Sequence, residues 1–212
     1  MKKILLAFLM ILTVQIASAQ IRYGVKASAN YSAIISEGLP VTDRIWEWGY
    51  DVGIMGEYEF VHQFRIQAEA SFALYTSALE FNIPLSNTDV NKTRSHFELY
   101  YVNIPVVAKY YVLKNFNVFL GPQLMVKLDA ISYNESTLYV NGQKVSETNT
   151  SSNVSRDINA VDFGAVGGIG YDLPNSGLGF NARYYIGFID QHKNDDIKFH
   201  NTNVSVGASY KF

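Results

Sequence analysis

The sequence predicts an all-β fold, an eight-stranded antiparallel up-and-down transmembrane β-barrel with short periplasmic turns and long extracellular loops. Three observations predict it. Apolar and polar residues alternate over eight segments, a period of two that is typical of strands with one apolar face. The connections between these segments are alternately short and long. Aromatic residues, 14% of the chain, cluster toward the segment ends, as in the girdles of membrane barrels.

The alternation is clearest at the carboxyl end of the chain, where one face is entirely apolar. That face consists of Val204, Val206, Ala208, Tyr210 and Phe212. The same pattern recurs over 22–31, 48–60, 64–74, 100–110, 116–129, 162–172 and 178–188, which makes eight predicted strands. Pro105 and Pro122 interrupt two of them, and proline cannot donate to a sheet ladder. We therefore expect any one-residue slip of the alternation to occur at these prolines.

The connections predict which end of the barrel faces the periplasm. Residues 61–62, 113–115 and 174–177 form tight turns, whereas long polar segments lie near 34–46, 82–95, 131–160 and 190–200. In outer-membrane barrels the short turns are periplasmic and the long loops extracellular. The stretch 141–160 is the most polar, and we expect it to be the most mobile loop.

The amino-terminal residues are typical of an export signal. Lys2 and Lys3 precede an apolar run over 4–16, and Ala17-Ser18-Ala19 supplies a small-residue cleavage site. The sequence therefore predicts a cleaved signal peptide over 1–19 and one barrel domain over 20–212. Cysteine is absent, which excludes disulfides and thiolate metal sites. A net charge of -2 gives no basic footprint for nucleic acid.

The polar face carries a nearly balanced set of charges that decides which face points outward. Turned to lipid, each Lys or Arg near the midplane would cost roughly 2–4 kcal/mol, so that the sum would exceed a typical stability of about 5–15 kcal/mol. A soluble barrel would present a denser charge to water than the 17% found here. The predicted interior charge network consists of Arg22, Lys26, Asp51, Glu57, Glu59, Arg65, Glu69, Lys109, Lys127, Asp129, Asp162, Asp172, Arg183 and Lys211.

These interior charges are expected to pair, because a lone buried charge is costly. The interior of an eight-stranded barrel is only wide enough to be filled by its own side chains. The network is thus predicted to be a structural plug.

Several short motifs resemble a known family. They are Tyr101-Val102-Asn103-Ile104-Pro105-Val106-Val107-Ala108-Lys109-Tyr110-Tyr111, Phe119-Leu120-Gly121-Pro122, Gly24-Val25-Lys26-Ala27, Asp162-Phe163-Gly164 and Ser209-Tyr210-Lys211 before the terminal aromatic. Together they resemble the outer-membrane β-barrel domain family common in Bacteroidetes, called PorT-like. The resemblance spans essentially the whole mature chain.

What the resemblance implies is an integral protein of the outer membrane of a Gram-negative cell, in contact with outer-membrane lipids. Phe212 looks like the terminal aromatic by which the barrel-assembly machinery recognises its clients, and also fits a lipid-facing strand end. The member that gives the family its name is linked to gliding and protein secretion, a role that we do not carry over. An unknown surface or secretion-complex partner is left open.

The sequence contains no strong catalytic constellation. The nearest candidate is His192 with Asp190, Asp195 and Asp196, for which a solvated acidic loop is the simpler interpretation. The other histidines, His62, His96 and His200, lack metal-ligand spacing. We therefore expect no enzyme activity, no metal site and no cofactor.

The sequence thus predicts a non-enzymatic integral outer-membrane barrel with a plugged interior and a role in surface interaction or envelope integrity. Three alternatives stay open: a soluble lipocalin-like ligand-binding barrel, a barrel enzyme and a narrow channel.

Overall fold

The computed structural model describes residues 21–37, 43–86, 88–191 and 198–212. The predicted signal peptide and the residues His192, Asp195 and Asp196 lie outside these ranges. The strands are β1 (Ile21–Glu37), β2 (Asp43–Val61), β3 (Phe64–Pro84), β4 (Val90–Tyr111), β5 (Phe116–Val140), β6 (Gln143–Asn153), β7 (Val161–Asp172), β8 (Leu178–Gly187) and β9 (Lys198–Lys211). In the described ranges, a helix with the length and apolar character needed to cross a membrane is not found.

Eight of these strands close into a barrel. Each strand pairs antiparallel with the next in the order β1-β2-β3-β4-β5-β7-β8-β9, and β9 pairs with β1 to complete the ring. The prediction of an eight-stranded antiparallel barrel is confirmed. The additional strand β6 exists because β5 is long enough to have two partners: residues 116–126 pair with β7, and residues 131–140 pair with β6.

The two ends of the barrel differ as predicted. Short turns at 62–63, 112–115 and 173–177 lie at one end, which we call the lower end. At the upper end two of the predicted long connections, 82–95 and 131–160, are built largely of strand. Only residues 85–89 separate β3 from β4, and β5 turns into β6 through Asn141 and Gly142, both with positive φ of 50° and 77°. The stretch predicted to be the most mobile loop therefore contains a two-residue hairpin turn of the kind that Asn-Gly favours.

Apolar side chains cover the outside of the barrel. On β2, Val52 and Ile54 are 46% and 64% exposed, whereas Asp51, which precedes them, and Glu57, which follows them, are 5% and 1% exposed. The eight barrel strands follow the predicted alternation. This arrangement is the reverse of a lipocalin-like barrel, in which the apolar face would point inward.

One-residue register shifts occur on β5 and at two points between β2 and β3, away from both prolines. Pro105 pairs with Gln123 and Ala108 with Leu120, so the register is constant past Pro105 and Pro122. The register of β4 and β5 changes instead above Tyr101, which makes Leu128 an extra residue and the centre of a β-bulge. Proline at these sites costs a ladder bond without changing the register, which explains why the expectation was wrong.

The outer face of β4 marks the height of the apolar band. Tyr110 and Tyr100 both point outward and are ten residues apart, about 33 Å of strand at about 3.3 Å per residue. At a tilt of about 45° this spans about 23 Å, close to the band of about 25 Å in membrane barrels. Above Tyr100 the same face becomes polar, with Glu98, His96, Arg94 and Lys92. The upper boundary of the apolar band therefore lies near Tyr100.

Candidate functional site

Glu57 is the centre of an ion-pair cluster in the lower half of the barrel. Its Oε2 accepts hydrogen bonds from Lys109 Nζ and Lys211 Nζ, each at 3.1 Å, and its Oε1 accepts one from Arg65 Nη1 at 3.1 Å. Lys211 also donates to Asp172 Oδ2 at 2.8 Å. These side chains come from β2, β3, β4, β7 and β9, so the cluster connects strands on different sides of the barrel wall.

The cluster continues to the lower rim. Arg22 Nη2 donates to Glu59 Oε2 at 2.7 Å, and Arg65 Nη2 lies 3.2 Å from the same oxygen. Tyr111 donates its hydroxyl to Asp172 Oδ2 at 2.6 Å. These contacts bring seven of the predicted network residues together and add Tyr111, which the pattern of charges alone could not identify.

A second cluster fills the middle of the barrel around Glu69. Arg183 donates to both Glu69 oxygens at 3.0 and 3.1 Å, and Lys26 Nζ lies 2.7 Å from Glu69 and 2.7 Å from Asp51. Asp51 also accepts from Ser71 Oγ at 2.6 Å and Asn103 Nδ2 at 3.0 Å. Two bases and two acids thus balance in a fully enclosed site.

Asp162 differs from the other interior acids. It is fully buried and accepts a hydrogen bond from Asn201 Nδ2 at 2.8 Å. Within the described ranges it forms no ion pair with a lysine or an arginine. Its neighbours Tyr101 and Tyr185 are buried with it.

Lys127 and Asp129 were predicted as members of the interior network, and the structure places them above both clusters. Lys127 Nζ donates to the carbonyl oxygen of Ser155 at 2.6 Å. Asp129 Oδ1 accepts from Asn153 Nδ2 and Ser155 Oγ, both at 2.7 Å. The bulge at Leu128 puts both side chains beside the turn that follows β6, and they fasten this turn to β5.

The described side chains leave little free volume inside the barrel. A cavity of about 20 Å³ lies beside Lys26, Asp51 and Arg183, and another of about 10 Å³ lies beside Tyr75 and Asn201. A water molecule needs at least about 10–15 Å³. These spaces therefore hold one or two waters at most.

The upper parts of β4, β5 and β6 form a three-stranded ribbon beyond the apolar band. His96 pairs with Tyr133 and Tyr133 with Ser151, while Arg94 pairs with Glu135 and Glu135 with Asn149. A cleft of about 530 Å³ lies on the outer face of this ribbon. We call it the ribbon cleft, and it is lined by Arg94, His96, Tyr133, Asn134, Glu135, Asn149, Thr150 and Ser151.

A group of charged side chains forms one wall of the ribbon cleft. Glu47 of β2 holds two residues of β4, with Oε2 2.5 Å from His96 Nδ1 and Oε1 3.2 Å from Arg94 Nη2. The His96 ring packs on Tyr133 with centroids 5.9 Å apart. In the sequence His96 lacks metal-ligand spacing, which does not reveal its contact with Glu47. The available signal is the run of polar residues at alternate positions above Tyr100, which continues the outward face of β4.

This wall does not make a metal centre. In the part of the chain that the structure describes, His, Asp and Glu side chains do not form a group of three placed to hold a metal ion. The catalytic candidate around His192 falls outside the described residues, and of that group only Asp190 is described. The carbonyl oxygen of Asp190 accepts a hydrogen bond from Asn159 Nδ2 at 2.7 Å.

Comparison with known proteins relates the sequence and the fold to membrane barrels. A family model described as "Outer membrane protein beta-barrel domain" matches residues 15–193. No curated protein matches the chain.

Three solved structures are among those similar to this chain. Neisserial surface protein A is 17% identical with a TM-score of 0.50, over 90% of this chain and 97% of its own. The attachment invasion locus protein Ail of Yersinia pestis is 14% identical with a TM-score of 0.41, over 90% and 98%. The outer membrane protease OmpT of Escherichia coli is 9% identical with a TM-score of 0.36, over 92% and 96%.

Proposed function

The chain belongs to the family of outer membrane protein β-barrel domains, and we propose that it acts in the outer membrane through its extracellular ribbon, as a non-enzymatic surface-interaction protein with a plugged barrel. One observation carries the proposal. The spaces inside the barrel measure about 20 and 10 Å³, whereas the cleft on the exposed ribbon measures about 530 Å³. On the extracellular side of the apolar band, the room for a ligand is therefore on the ribbon. A second space, of about 410 Å³, opens at the opposite, lower mouth of the barrel beside Arg22, Asp172 and Lys211.

The interior ion pairs argue against a channel. Opening a path would separate Glu57 or Glu69 from the cations that surround each of them. Breaking a buried ion pair from one side costs about 3–5 kcal/mol. A narrow channel would have to lose several such pairs at once.

The ribbon cleft also offers little support for catalysis. Within the described chain, the recorded polar contacts of His96 are with the carboxylates of Glu47 and Glu98. A histidine that serves as a general base for a nucleophile needs a hydroxyl or thiol within hydrogen-bond reach. A binding surface fits these contacts better than a hydrolytic site.

The proposal also includes export through a cleaved signal peptide and membership of the PorT-like branch of barrels. The apolar run over 4–16 and the small residues that follow it support export through a signal peptide cleaved after Ala19. The motif over 101–111 supports a place in the PorT-like branch of Bacteroidetes barrels.

Conductance and cell adhesion test the proposal together. A ribbon-truncated variant joins Asn134 to Thr150, which pair across β5 and β6, through an Asn-Gly turn. We expect neither the intact nor the truncated protein to give discrete conductance steps in planar bilayers. In cells that lack the gene, the intact protein should restore adhesion to other cells or surfaces, and the truncated protein should not. Conductance steps, or equal adhesion with both proteins, would overturn the proposal.

A further inference from the structure

We propose that the ribbon cleft binds a saccharide, and that this saccharide is the sugar portion of a glycolipid in the outer leaflet beside the barrel. The inference rests on the proposed function, because it assigns a ligand to the same ribbon. Three features of the described residues carry it: the chemistry of the lining, the height and direction of the cleft, and the rigidity of its wall.

The lining combines an aromatic face with uncharged polar groups. Tyr133 is 42% exposed on the floor of the cleft, where its ring offers an apolar face to the C–H side of a pyranose. Asn149 and Ser151, which pair with Glu135 and Tyr133, are exposed on the same face and supply amide and hydroxyl groups as both donors and acceptors. In the described ranges, no recorded hydrogen bond uses the side-chain hydroxyls of Tyr133 or Ser151 as donors.

The charges of the lining cancel, so recognition would rest on its neutral donors, acceptors and aromatic face and not on the anionic groups of a ligand. Arg94 and Glu135 are paired neighbours at one end of the cleft, and their formal charges cancel. Arg94 is also held by Glu47. The volume of about 530 Å³ falls within the roughly 300–1,000 Å³ that is usual for small-molecule sites.

The cleft lies just above the apolar band and opens sideways. His96 and Arg94 are four and six residues beyond Tyr100 on the same face of β4, about 13 and 20 Å along the strand at about 3.3 Å per residue. At a tilt of about 45° these distances become heights of about 9 and 14 Å above the upper boundary of the band. The face continues the lipid-facing wall, so an occupant would be supplied by the headgroup layer.

The wall of the cleft is held in place before any ligand binds. Glu47 reaches from β2 across β3 to bind His96 and Arg94, and His96 packs against Tyr133. Ala78, which pairs with His96 and is fully buried, leaves room for this crossing. A preformed wall lowers the ordering cost of binding.

The test uses the full-length barrel in nanodiscs and two tyrosine variants of the same strand. Tyr133→Ala removes the ring from the cleft floor. Tyr139→Ala removes a ring from the same ribbon outside the cleft, where Lys92 Nζ lies 5.3 Å from the Tyr139 ring centroid. Retention of rough lipopolysaccharide, which carries core sugars, is measured by native mass spectrometry. We expect the wild type and Tyr139→Ala to retain it, and Tyr133→Ala to lose at least tenfold in affinity. Equal retention by all three proteins would overturn the inference.

Two further probes distinguish the source of the sugar. Lipid A without core sugars should be retained no better than phospholipid. If lipid A were retained as well as the rough form, recognition would be assigned to acyl chains or phosphates, and the inference would be overturned. The core oligosaccharide released from its lipid should bind at least tenfold more weakly than the glycolipid. Equal binding of the released sugar would overturn the glycolipid assignment in favour of a free saccharide.

A second variant and a fold measurement protect the test against misfolding. Each protein is first shown to have the heat-modifiable gel mobility of a folded barrel. Ser151→Ala, which pairs with Tyr133 on the outer face of the ribbon, removes one hydroxyl with little change of shape and should lower glycolipid affinity about threefold to tenfold. Loss of retention in Tyr133→Ala with unchanged adhesion by the ribbon-truncated protein would contradict the proposed function alone. Ribbon-dependent adhesion with equal retention would contradict the glycolipid site alone.

Discussion

Lys211, the penultimate residue, places its Nζ 3.1 Å from Glu57 Oε2 and 2.8 Å from Asp172 Oδ2. Lys211 belongs to β9, Glu57 to β2 and Asp172 to β7, so one ammonium group joins three strands across the interior. The backbone of β9 is paired with β1 and β8 at the same time. The last strand is therefore fixed both by its ladders in the wall and by charge inside the barrel.

This relationship predicts that Glu57→Gln destabilises the barrel strongly. Glu57 is 1% exposed and is the shared partner of Lys109, Lys211 and Arg65. Removal of its charge takes away the recorded acidic partner of the buried Lys109, while Lys211 keeps Asp172 and Arg65 keeps Glu59. Leaving a buried cation unpaired typically costs about 3–5 kcal/mol. Urea unfolding of the barrel in lipid vesicles measures the loss.

Glu59→Gln is the matched control for that substitution. Glu59 is on the same strand and also contacts Arg65, but its side chain is 31% exposed. Partly exposed ion pairs contribute about 0–1 kcal/mol, because water screens them. Equal losses for the two variants would contradict a stabilising role that depends on burial.

Asp162→Asn should have the opposite sign from Glu57→Gln. Asp162 is fully buried, accepts from the amide of Asn201, and also interacts with Tyr185 and the Phe163 backbone. A buried carboxylate without a recorded lysine or arginine partner is costly, so an amide of the same shape should be neutral or stabilising by up to about 1 kcal/mol. The same unfolding measurement applies, and a loss above about 1 kcal/mol would show that the charge of Asp162 is compensated.

Gly168→Ala tests how closely the strands and side chains pack inside the barrel. A Cβ at Gly168 would lie 2.2 Å from the carbonyl oxygen of Ala182 and 2.7 Å from Cζ of Phe119. Overpacking of this kind costs about 1–3 kcal/mol. Gly56→Ala is the control, since a Cβ there meets nothing within 4 Å, and its effect should stay within about 0.5 kcal/mol. Equal losses in the free energy of unfolding for the two variants would mean that the wall can relax around Gly168.

Asp89 at the tip of the β3–β4 hairpin predicts a pH-dependent contact between hairpins. Hydrogen bonds from the Ser86 and Thr88 side chains and from the Asn141 backbone N–H hold the pKa of Asp89 below its usual value. A lowered folded-state pKa gives a stabilisation that is present above the unfolded pKa and is lost as pH falls through the folded one. NMR titration should therefore show the Asn141 amide shifting below the ordinary aspartate pKa. Asp89→Asn should abolish this shift, and a shift centred at or above the ordinary value would contradict the prediction.

The barrel could be predicted from the sequence because two observations agree: the alternation with a period of two, and the energetic cost of turning the charged face to lipid. Residues such as Lys26 and Glu69 alternate with apolar neighbours, and lipid tolerates only one of the two faces. The predicted strands therefore had the correct sides without knowledge of their partners. Individual ion pairs could not be predicted, since Lys26 and Glu69 meet only through the registers of β1, β2 and β3.

The features above the apolar band were harder to predict. β6 contains residues such as Thr148 and Ser151 on both faces, so it has no apolar period, and only the Asn141-Gly142 dipeptide indicated a hairpin. No residue type near Leu128 indicates a bulge at that position. The contact between Glu47 and His96 joins residues 49 positions apart across an intervening strand, and the sequence gives no register for such a pair.

The carboxyl-terminal Phe212 allows assembly and stability to be separated. Its side chain is 77% exposed, it packs edge-on against Tyr210 at 5.5 Å, and its N–H donates to the Tyr23 carbonyl at 2.9 Å. Because the ring lies outside the wall, Phe212→Ala should leave the free energy of unfolding within about 0.5 kcal/mol of wild type.

If the terminal ring is also read by the barrel-assembly machinery, Phe212→Ala should lower the amount of folded barrel in the outer membrane severalfold, measured by heat-modifiable gel mobility. Tyr23→Ala is the control, since that ring is 63% exposed at the same lower end of the wall but is not terminal. Refolding from urea into detergent bypasses the machinery and should be equally efficient for both variants. Equal amounts of the two variants in the membrane would leave Phe212 with only the girdle role, because a ring that serves only at the lipid boundary is interchangeable with its neighbours there.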